Sequence, residues 1–247
     1  MKSIPPEDRN ASLPAYLIET GKDPRVLVVA FTGFGGSLSM PSQEFLGLSR
    51  LLDHSRILLR DDSQTCYLKG IPGIAPSVEA LLDRLRADIA RLAPQILMVL
   101  GTSGGAHAAM LFGHLLRAQL VHAFAPFTNL DFRLDHDRRL RNPLVQETLD
   151  RLATVPESDW RYFDLRNVLA EGNGTTRFHV HACAKSPRDL DRAMRLRGMP
   201  QVHIHTFPCD NHMVAVFLAK ARILESLVRP ELLQQDLPAV LHWRGEA

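Results

Sequence analysis

Short apolar runs alternate along the chain with longer segments of helical spacing. The apolar runs, rich in β-branched residues, occupy residues 26–31, 56–59, 96–100, 120–124, 178–183 and 202–207. Runs of this length are typical of buried strands, and strands that alternate with helices form a mostly parallel sheet. The pattern therefore predicts an α/β fold with six such strands, and residues 15–19 are a candidate antiparallel strand.

The segments between the runs predict the helices. Pro76 and Pro94 enclose a stretch in which apolar residues recur every three or four positions, as on one face of a helix. These apolar positions are Val78, Leu81, Leu82, Leu85, Ile89 and Leu92. Further helices are predicted over 103–117, 187–197 and 212–228.

Length and composition indicate one globular domain. The 247 residues are 45% hydrophobic and 23% charged, and an α/β sheet of this size commonly forms a single unit. We therefore predict one domain over residues 1–247. Residues 126–176 form a long connection, and connections of that length usually carry function.

Charge and cysteine content restrict the partners and the compartment. The formal net charge of +2, with acidic residues interleaved in the basic stretches 133–141 and 188–197, gives no reason to expect nucleic acid. Residues 1–8 lack the apolar run of a signal peptide, and no segment has the length of a membrane span. Cys66, Cys183 and Cys209 are widely spaced, so neither a disulfide framework nor a zinc site is expected. These features predict a cytoplasmic protein without a membrane segment.

The most informative motif is Gly-Thr-Ser-Gly-Gly at residues 101–105. It follows an apolar strand and precedes a helix of small residues, which is the context that a G-x-S-x-G motif requires. A serine at this sharp turn adopts strained backbone angles, and Gly101 and Gly105 avoid collisions with the neighbouring strand and helix. Ser103 is therefore the predicted nucleophile, and the Gly104 N–H is a predicted oxyanion donor. A flexible glycine turn is the alternative interpretation.

A second glycine-rich loop, Thr-Gly-Phe-Gly-Gly-Ser at residues 32–37, follows the first core strand. A hydrolase places its other oxyanion donor at this point. The alternative is a dinucleotide-binding loop, since Gly33 and Gly35 are followed by Arg60 and Asp61. Two features count against this alternative. Leu38 occupies the position of the third glycine, and Met-Pro-Ser at 40–42 interrupts the helix that would bind the pyrophosphate at its N-terminus.

His212 is the best-placed base, because it follows the last core strand and so lies over the carboxyl ends of the sheet. Chain order supports Asp189 as the acid. Asp189 follows the predicted strand at 178–183, and it lies between Ser103 and His212 in the sequence. Asp189 could instead cap the helix that follows it. Asp191 and Asp210 remain alternative acids.

Four histidines raise a different possibility, a metal site. His179 and His181 share one face of a strand, and His203 and His205 share a face of the next. Neighbouring strands lie about 4.8 Å apart, which brings such side chains close together. Half-buried, hydrogen-bonded histidines are the alternative, and we favour it because no carboxylate joins them. No metal or cofactor is predicted.

With these residues in place, residues 25–228 resemble the α/β-hydrolase superfamily. The resemblance rests on the loop at 32–36, the motif at 101–105, Asp189 and His212. It implies an α/β-hydrolase fold, a serine hydrolase with a catalytic triad, and a helical cap at 126–176 that selects the substrate. It also implies that the Phe34 N–H is the second oxyanion donor, with Thr32 where many relatives carry histidine.

A second resemblance concerns residues 60–73, which begin Arg-Asp-Asp-Ser and end Gly-Ile-Pro-Gly. They are similar to a stretch in hydrolase-like bacterial proteins, some linked to surface polysaccharides. The expected substrate is a small-molecule or glycan-linked acyl group, bound as a carboxylic ester or thioester. An acyltransferase with the same triad and a non-catalytic binding module on this scaffold are the alternatives.

Overall fold

The structure, a computed structural model, describes residues 14–131, 143–230 and 240–243. Its centre is a sheet of eight strands. The strands are β1 Tyr16–Glu19, β2 Asp23–Phe31, β3 His54–Leu59, β4 Ile96–Thr102, β5 Leu120–Phe124, β6 Arg177–Cys183, β7 Val202–Phe207 and β8 Val240–His242. They lie in the order β1-β3-β2-β4-β5-β6-β7-β8. Only β1 runs antiparallel to its neighbour within this sheet.

Helices cover both faces of the sheet. The helices are α1 Ser42–Leu48, α2 Val78–Leu92, α3 Gly104–Leu115, α4 Pro143–Leu152, α5 Leu165–Leu169, α6 Pro187–Met194, α7 Val214–Lys220 and α8 Leu224–Leu227. One face packs against α2, α3, α5 and α6, and the other against α1, α7 and α8. Both faces of the central parallel strands are therefore buried, which explains why the sequences of those strands are continuous apolar runs.

The α/β prediction is confirmed. The six predicted strands form, and residues 16–19 pair antiparallel with β3 through Tyr16 and Leu59. The eighth strand, β8, was not predicted because it has three residues, too few to show a period. The basic stretch at 133–141 and residues 1–8 lie outside the described residues.

The predicted helix over 212–228 is wrong in one respect, because it is two helices. Arg222 between α7 and α8 has a left-handed φ of 59°. The Ile223 N–H bonds back to the Leu218 carbonyl at 3.0 Å, which ends α7 as a left-handed cap does. Periodicity alone could not detect this break, since apolar residues continue across it.

The cysteine prediction is also wrong. Cys183 and Cys209 form a disulfide, whereas Cys66 is free and buried. Cys183 ends β6, and Cys209 follows the adjacent strand β7, so their Cα atoms lie 4.8 Å apart. Disulfides persist in oxidising compartments, so the cysteines do not support the predicted cytoplasmic location. Among the helices of the described residues, none has both the length and the apolar character to cross a membrane.

Candidate active site

Ser103 lies on a sharp turn between β4 and α3. Its φ of 55° and ψ of −120° are strained for a residue with a side chain. A Cβ on Gly101 would collide with the Gly105 backbone, and one on Gly105 would collide with the carbonyls of Phe31 and Thr32. The turn therefore requires glycine at both positions, as the sequence predicted.

The structure brings Ser103, His212 and Asp189 together at the carboxyl ends of the strands. His212 Nε2 lies 2.8 Å from Ser103 Oγ. His212 Nδ1 lies 2.8 Å from Asp189 Oδ1, although 23 residues separate the two in the chain. With Nδ1–H donating to the carboxylate, Nε2 is free to accept the serine proton.

Asp189 lies in the first turn of α6 and is 2% exposed. Burial opposes its ionisation, but the hydrogen bond and charge of His212 and the charge of Arg192 outweigh burial, so its pKa is lowered. The other two candidate acids, Asp191 and Asp210, are both exposed. His212 Nδ1–H therefore donates to a carboxylate that is ionised at neutral pH.

The glycine-rich loop lies directly against the turn that carries Ser103. A Cβ on Gly33 would be 3.4 Å from Ser103 Cβ, and one on Gly104 would touch the Phe34 ring. Among the described residues, no hydrogen bond occupies the backbone N–H of Phe34 or Gly104. Gly104 also begins α3, whose N-terminal dipole favours negative charge.

A cleft of about 720 Å³ opens beside Asp189 and His212. Phe34 and Phe127 line it near His212, and α4 lines it with Leu149 and Leu152. Apolar walls with few polar groups are typical of small-molecule sites. Part of the wall comes from the long connection 126–176, to which both Phe127 and α4 belong.

Two wall residues were not found by sequence reasoning. The Arg192 guanidinium stacks on the Phe127 ring at 3.9 Å and lies 3.8 Å from Asp189 Oδ1. Phe127 in turn contacts the rings of His212 and Phe34, with centroids 5.9 Å and 5.6 Å away. These contacts join residues far apart in sequence, so no local motif could have revealed them.

Three of the four histidines of the metal alternative stack on one another, and the His203 ring lies tilted against that of His179. His179 Nδ1 lies 3.0 Å from His205 Nε2, and the rings of His181 and His205 stack with centroids 4.9 Å apart. A fifth histidine, His122, joins them with its Nδ1 3.2 Å from His181 Nε2. Among the described residues, no group of three or more His, Cys, Asp or Glu side chains could hold a metal ion.

Burial lowers the pKa of four buried histidines in this group. It lowers the pKa of His122 to about 3 and that of His205 to about 4, and neighbouring histidines add to the effect. The pKa values of His179 and His181 are lowered too, first by burial and then by the charges of the other rings. His122, His179, His181 and His205 are therefore neutral at pH 7.

No protein-family model and no curated protein matches the sequence, but solved structures do. A 2,6-dihydroxy-pseudo-oxynicotine hydrolase is similar with a TM-score of 0.61 and 17% identity, over 86% of this chain and 62% of that one. This chain thus spans less than two thirds of that hydrolase.

Two further structures cover comparable shares of both chains. An S-formylglutathione hydrolase from Agrobacterium tumefaciens has a TM-score of 0.54 and 13% identity, over 83% of this chain and 86% of that one. A capsule O-acetyltransferase of Neisseria meningitidis serogroup A has a TM-score of 0.57 and 14% identity, over 89% and 91%. With these likenesses, the chain has the α/β-hydrolase fold.

Proposed function

Given the α/β-hydrolase fold, we propose that this chain is a serine hydrolase that cleaves a carboxylic ester or thioester through an acyl-enzyme. The observation that carries the proposal is the pair of 2.8 Å hydrogen bonds joining Ser103, His212 and Asp189. A nucleophile bonded to a base that a third group orients is the arrangement needed to activate serine.

The proposed reaction has two halves. Ser103 Oγ attacks the acyl carbon while His212 Nε2 takes the hydroxyl proton, and Asp189 stabilises the resulting imidazolium. His212 then gives the proton to the departing alcohol or thiol, which leaves an acyl group on Ser103. Water, deprotonated by His212, attacks this acyl group and releases the acid, so that the serine regains its proton.

Negative charge on the tetrahedral oxygen would be held by the backbone N–H groups of Phe34 and Gly104. Support comes from the packing of the Phe34 loop against the Ser103 turn and from the unoccupied state of both donors among the described residues. Preorganised donors of this kind stabilise the transition state more than the bound ester, which accelerates the reaction.

The long connection 126–176 is proposed to act as a cap that selects the substrate. Phe127, Leu149 and Leu152 of this segment line the cleft beside the proposed base. Their apolar surface favours an acyl group or leaving group with apolar parts. A glycan-linked acyl substrate is one candidate, in keeping with the similarity of residues 60–73 to polysaccharide-linked proteins.

An acyltransferase is the second candidate function. The same triad can pass the acyl group to a hydroxyl instead of water, and the similarity to a capsule O-acetyltransferase favours this candidate. Adding alcohols or sugars to a reaction with an activated ester distinguishes an acyltransferase from a hydrolase. A transferase yields new esters in proportion to the acceptor, whereas a hydrolase yields the free acid.

Labelling with a fluorophosphonate tests the nucleophile. Ser103 Oγ displaces fluoride from phosphorus, and mass spectrometry locates the adduct. We expect an adduct on Ser103 in the wild type, none at this position in Ser103→Ala, and a greatly slowed reaction in His212→Ala. A folded wild-type protein that is not labelled would contradict the proposal and favour a non-catalytic binding module on the same scaffold.

A further inference from the structure

We propose that Gln64 is a positioning residue for the oxyanion loop, and that it acts by holding the Phe34 carbonyl. This inference rests on the proposed acyl chemistry at Ser103. Gln64 lies in the segment 60–73, for which the triad provides no role. Its side-chain amide spans the space between the Phe34 loop and helix α4.

The first observation is the hydrogen bond between Gln64 and the loop. Gln64 Nε2 donates to the Phe34 carbonyl oxygen at 3.0 Å. That carbonyl belongs to the peptide directly after the Phe34 N–H, so fixing it restricts the Phe34 backbone angles that aim the N–H. On the other side of Phe34, the Gly33 N–H donates to the Ser37 carbonyl at 2.9 Å. Phe34 is therefore held from both directions.

The second observation fixes the orientation of the Gln64 amide. Arg151 Nη1 of α4 donates to Gln64 Oε1. Because a guanidinium only donates, the amide oxygen must face Arg151, and the NH₂ group must face Phe34. The amide is thus oriented by a residue on the same helix that lines the cleft with Leu149 and Leu152.

The third observation is that the backbone around Gln64 has an unfavourable conformation, which hydrogen bonds stabilise. Gln64, Cys66 and Tyr67 all have left-handed φ angles, between 53° and 63°, which cost energy for residues with side chains. The Asp61 carboxylate offsets this cost, since it accepts from the backbone N–H groups of Thr65 and Tyr67 at 2.8 Å and of Ser63 at 2.9 Å. Three hydrogen bonds to one carboxylate thus hold the backbone on both sides of Gln64.

This local organisation continues to the Ser103 turn. The Cys66 side chain and the Phe34 ring both lie against Gly104, where an added Cβ would touch them. The Tyr67 hydroxyl donates to the Leu59 carbonyl at 2.7 Å and lies 3.2 Å from the Thr32 hydroxyl. The segment 61–67 therefore supports the loop carrying one proposed donor and contacts the residue carrying the other. Donors of this kind lose effect when displaced by fractions of an ångström.

Gln64→Glu tests the role with the least disturbance. Glutamate keeps the shape and the Arg151 contact, but its carboxylate has no proton to donate to the Phe34 carbonyl. We expect the maximal rate of Ser103 phosphonylation by a fluorophosphonate to fall about 10-fold, while the half-saturating concentration stays within about 2-fold. Phenylboronic acid, whose tetrahedral adduct places oxygen in the same hole, should bind about 10-fold more weakly.

Lys69→Met is the matched control. Lys69 Nζ donates to Thr154 Oγ1 at 3.2 Å, so this variant removes another contact between the segment 60–73 and the connection 126–176 and keeps both hydrogen bonds of the Gln64 amide. Its maximal labelling rate should stay within about 3-fold of the wild type, and both variants should keep the wild-type melting temperature. A Gln64→Glu protein that labels at the wild-type rate, or that loses only affinity for the reagent, would overturn the positioning role. Failure of the wild type to be labelled would instead overturn the proposed function, and this inference with it.

Discussion

Strands β6 and β7 and the loop that follows β7 carry histidines in two opposite environments. His179, His181 and His205 lie within β6 and β7, buried and stacked on one another with neutral rings. His212 lies beyond the end of β7, with its side chain 38% exposed, a carboxylate at one ring nitrogen and a hydroxyl at the other. Only a few residues of chain separate the two situations.

The contrast between the stacked histidines and His212 indicates which surroundings suit a histidine for proton transfer. An imidazole can shuttle a proton when a partner stabilises its charged form and when the reacting group is within reach. The stacked rings fail the first condition, because burial and the neighbouring histidines disfavour their charged form. A cluster of histidines can therefore be structural, while one at a strand end can carry chemistry.

The largest expected effect is that of replacing His212. We expect His212→Gln to slow phosphonylation of Ser103 by at least about 10⁴-fold, because the serine proton then has no acceptor. His181→Leu should label at close to the wild-type rate. An equal loss of phosphonylation rate in the two variants, measured on folded protein, would contradict the distinction between strand-end and mid-strand histidines.

The disulfide should have the next largest effect, on stability. Cys183 and Cys209 are 26 residues apart in sequence, and opening a loop of that size costs about 3 kcal/mol of unfolding free energy. We expect the double variant Cys183→Ser with Cys209→Ser to lose about that amount in urea denaturation. Addition of a reductant to the wild type should give a similar loss, and no loss in either case would contradict the prediction.

The stacked histidines should make stability depend on pH. An exposed histidine has a pKa of about 6.5, whereas burial lowers that of His122 to about 3 and that of His205 to about 4. The unfolded chain therefore binds protons that the folded chain does not, and stability falls as the pH drops from 6.5 towards 4. Each such histidine contributes about 1.4 kcal/mol per pH unit.

The variant His122→Leu isolates this effect. The slope of unfolding free energy against pH, between pH 6 and pH 4.5, should be lower than that of the wild type by about 1.4 kcal/mol per unit. An unchanged slope would show that His122 can charge within the folded protein, and the contrast with His212 would then weaken.

The smallest expected effect concerns a single pair of rings. His179 and His205 share a 3.0 Å hydrogen bond, and breaking it from either side leaves a buried nitrogen without its partner. A double-mutant cycle with His179→Leu and His205→Leu should give a coupling energy of about 1 kcal/mol at pH 7. A coupling of zero would mean that the rings pack without a net hydrogen-bond contribution.

Much of the fold and of the candidate site could be predicted from sequence because the signals were local. The apolar runs gave the strands, and the glycines around Ser103 gave the turn. Chain order then placed Asp189 and His212 past the ends of two strands that prove to be neighbours. Each step needed only the spacing of residues along the chain and the direction of parallel strands.

The features that escaped prediction depend on contacts between distant segments. The pairing of Cys183 with Cys209 follows from the adjacency of β6 and β7, which the cysteine spacing does not encode. The link from Arg151 to Gln64 joins positions 87 residues apart. The alternation of histidines predicted their shared face correctly, but whether rings stack or converge depends on side-chain rotamers.

The disulfide also changes what a break in the chain would mean. Cys183 and Cys209 close a covalent ring that contains α6 and β7, with Asp189 inside the ring and His212 just outside it. A protease that cuts at the exposed turn near Gly198 would leave two fragments still joined through sulfur. Ser103 and Asp189 would lie on one fragment and His212 on the other, and the disulfide would keep all three residues in one covalent molecule.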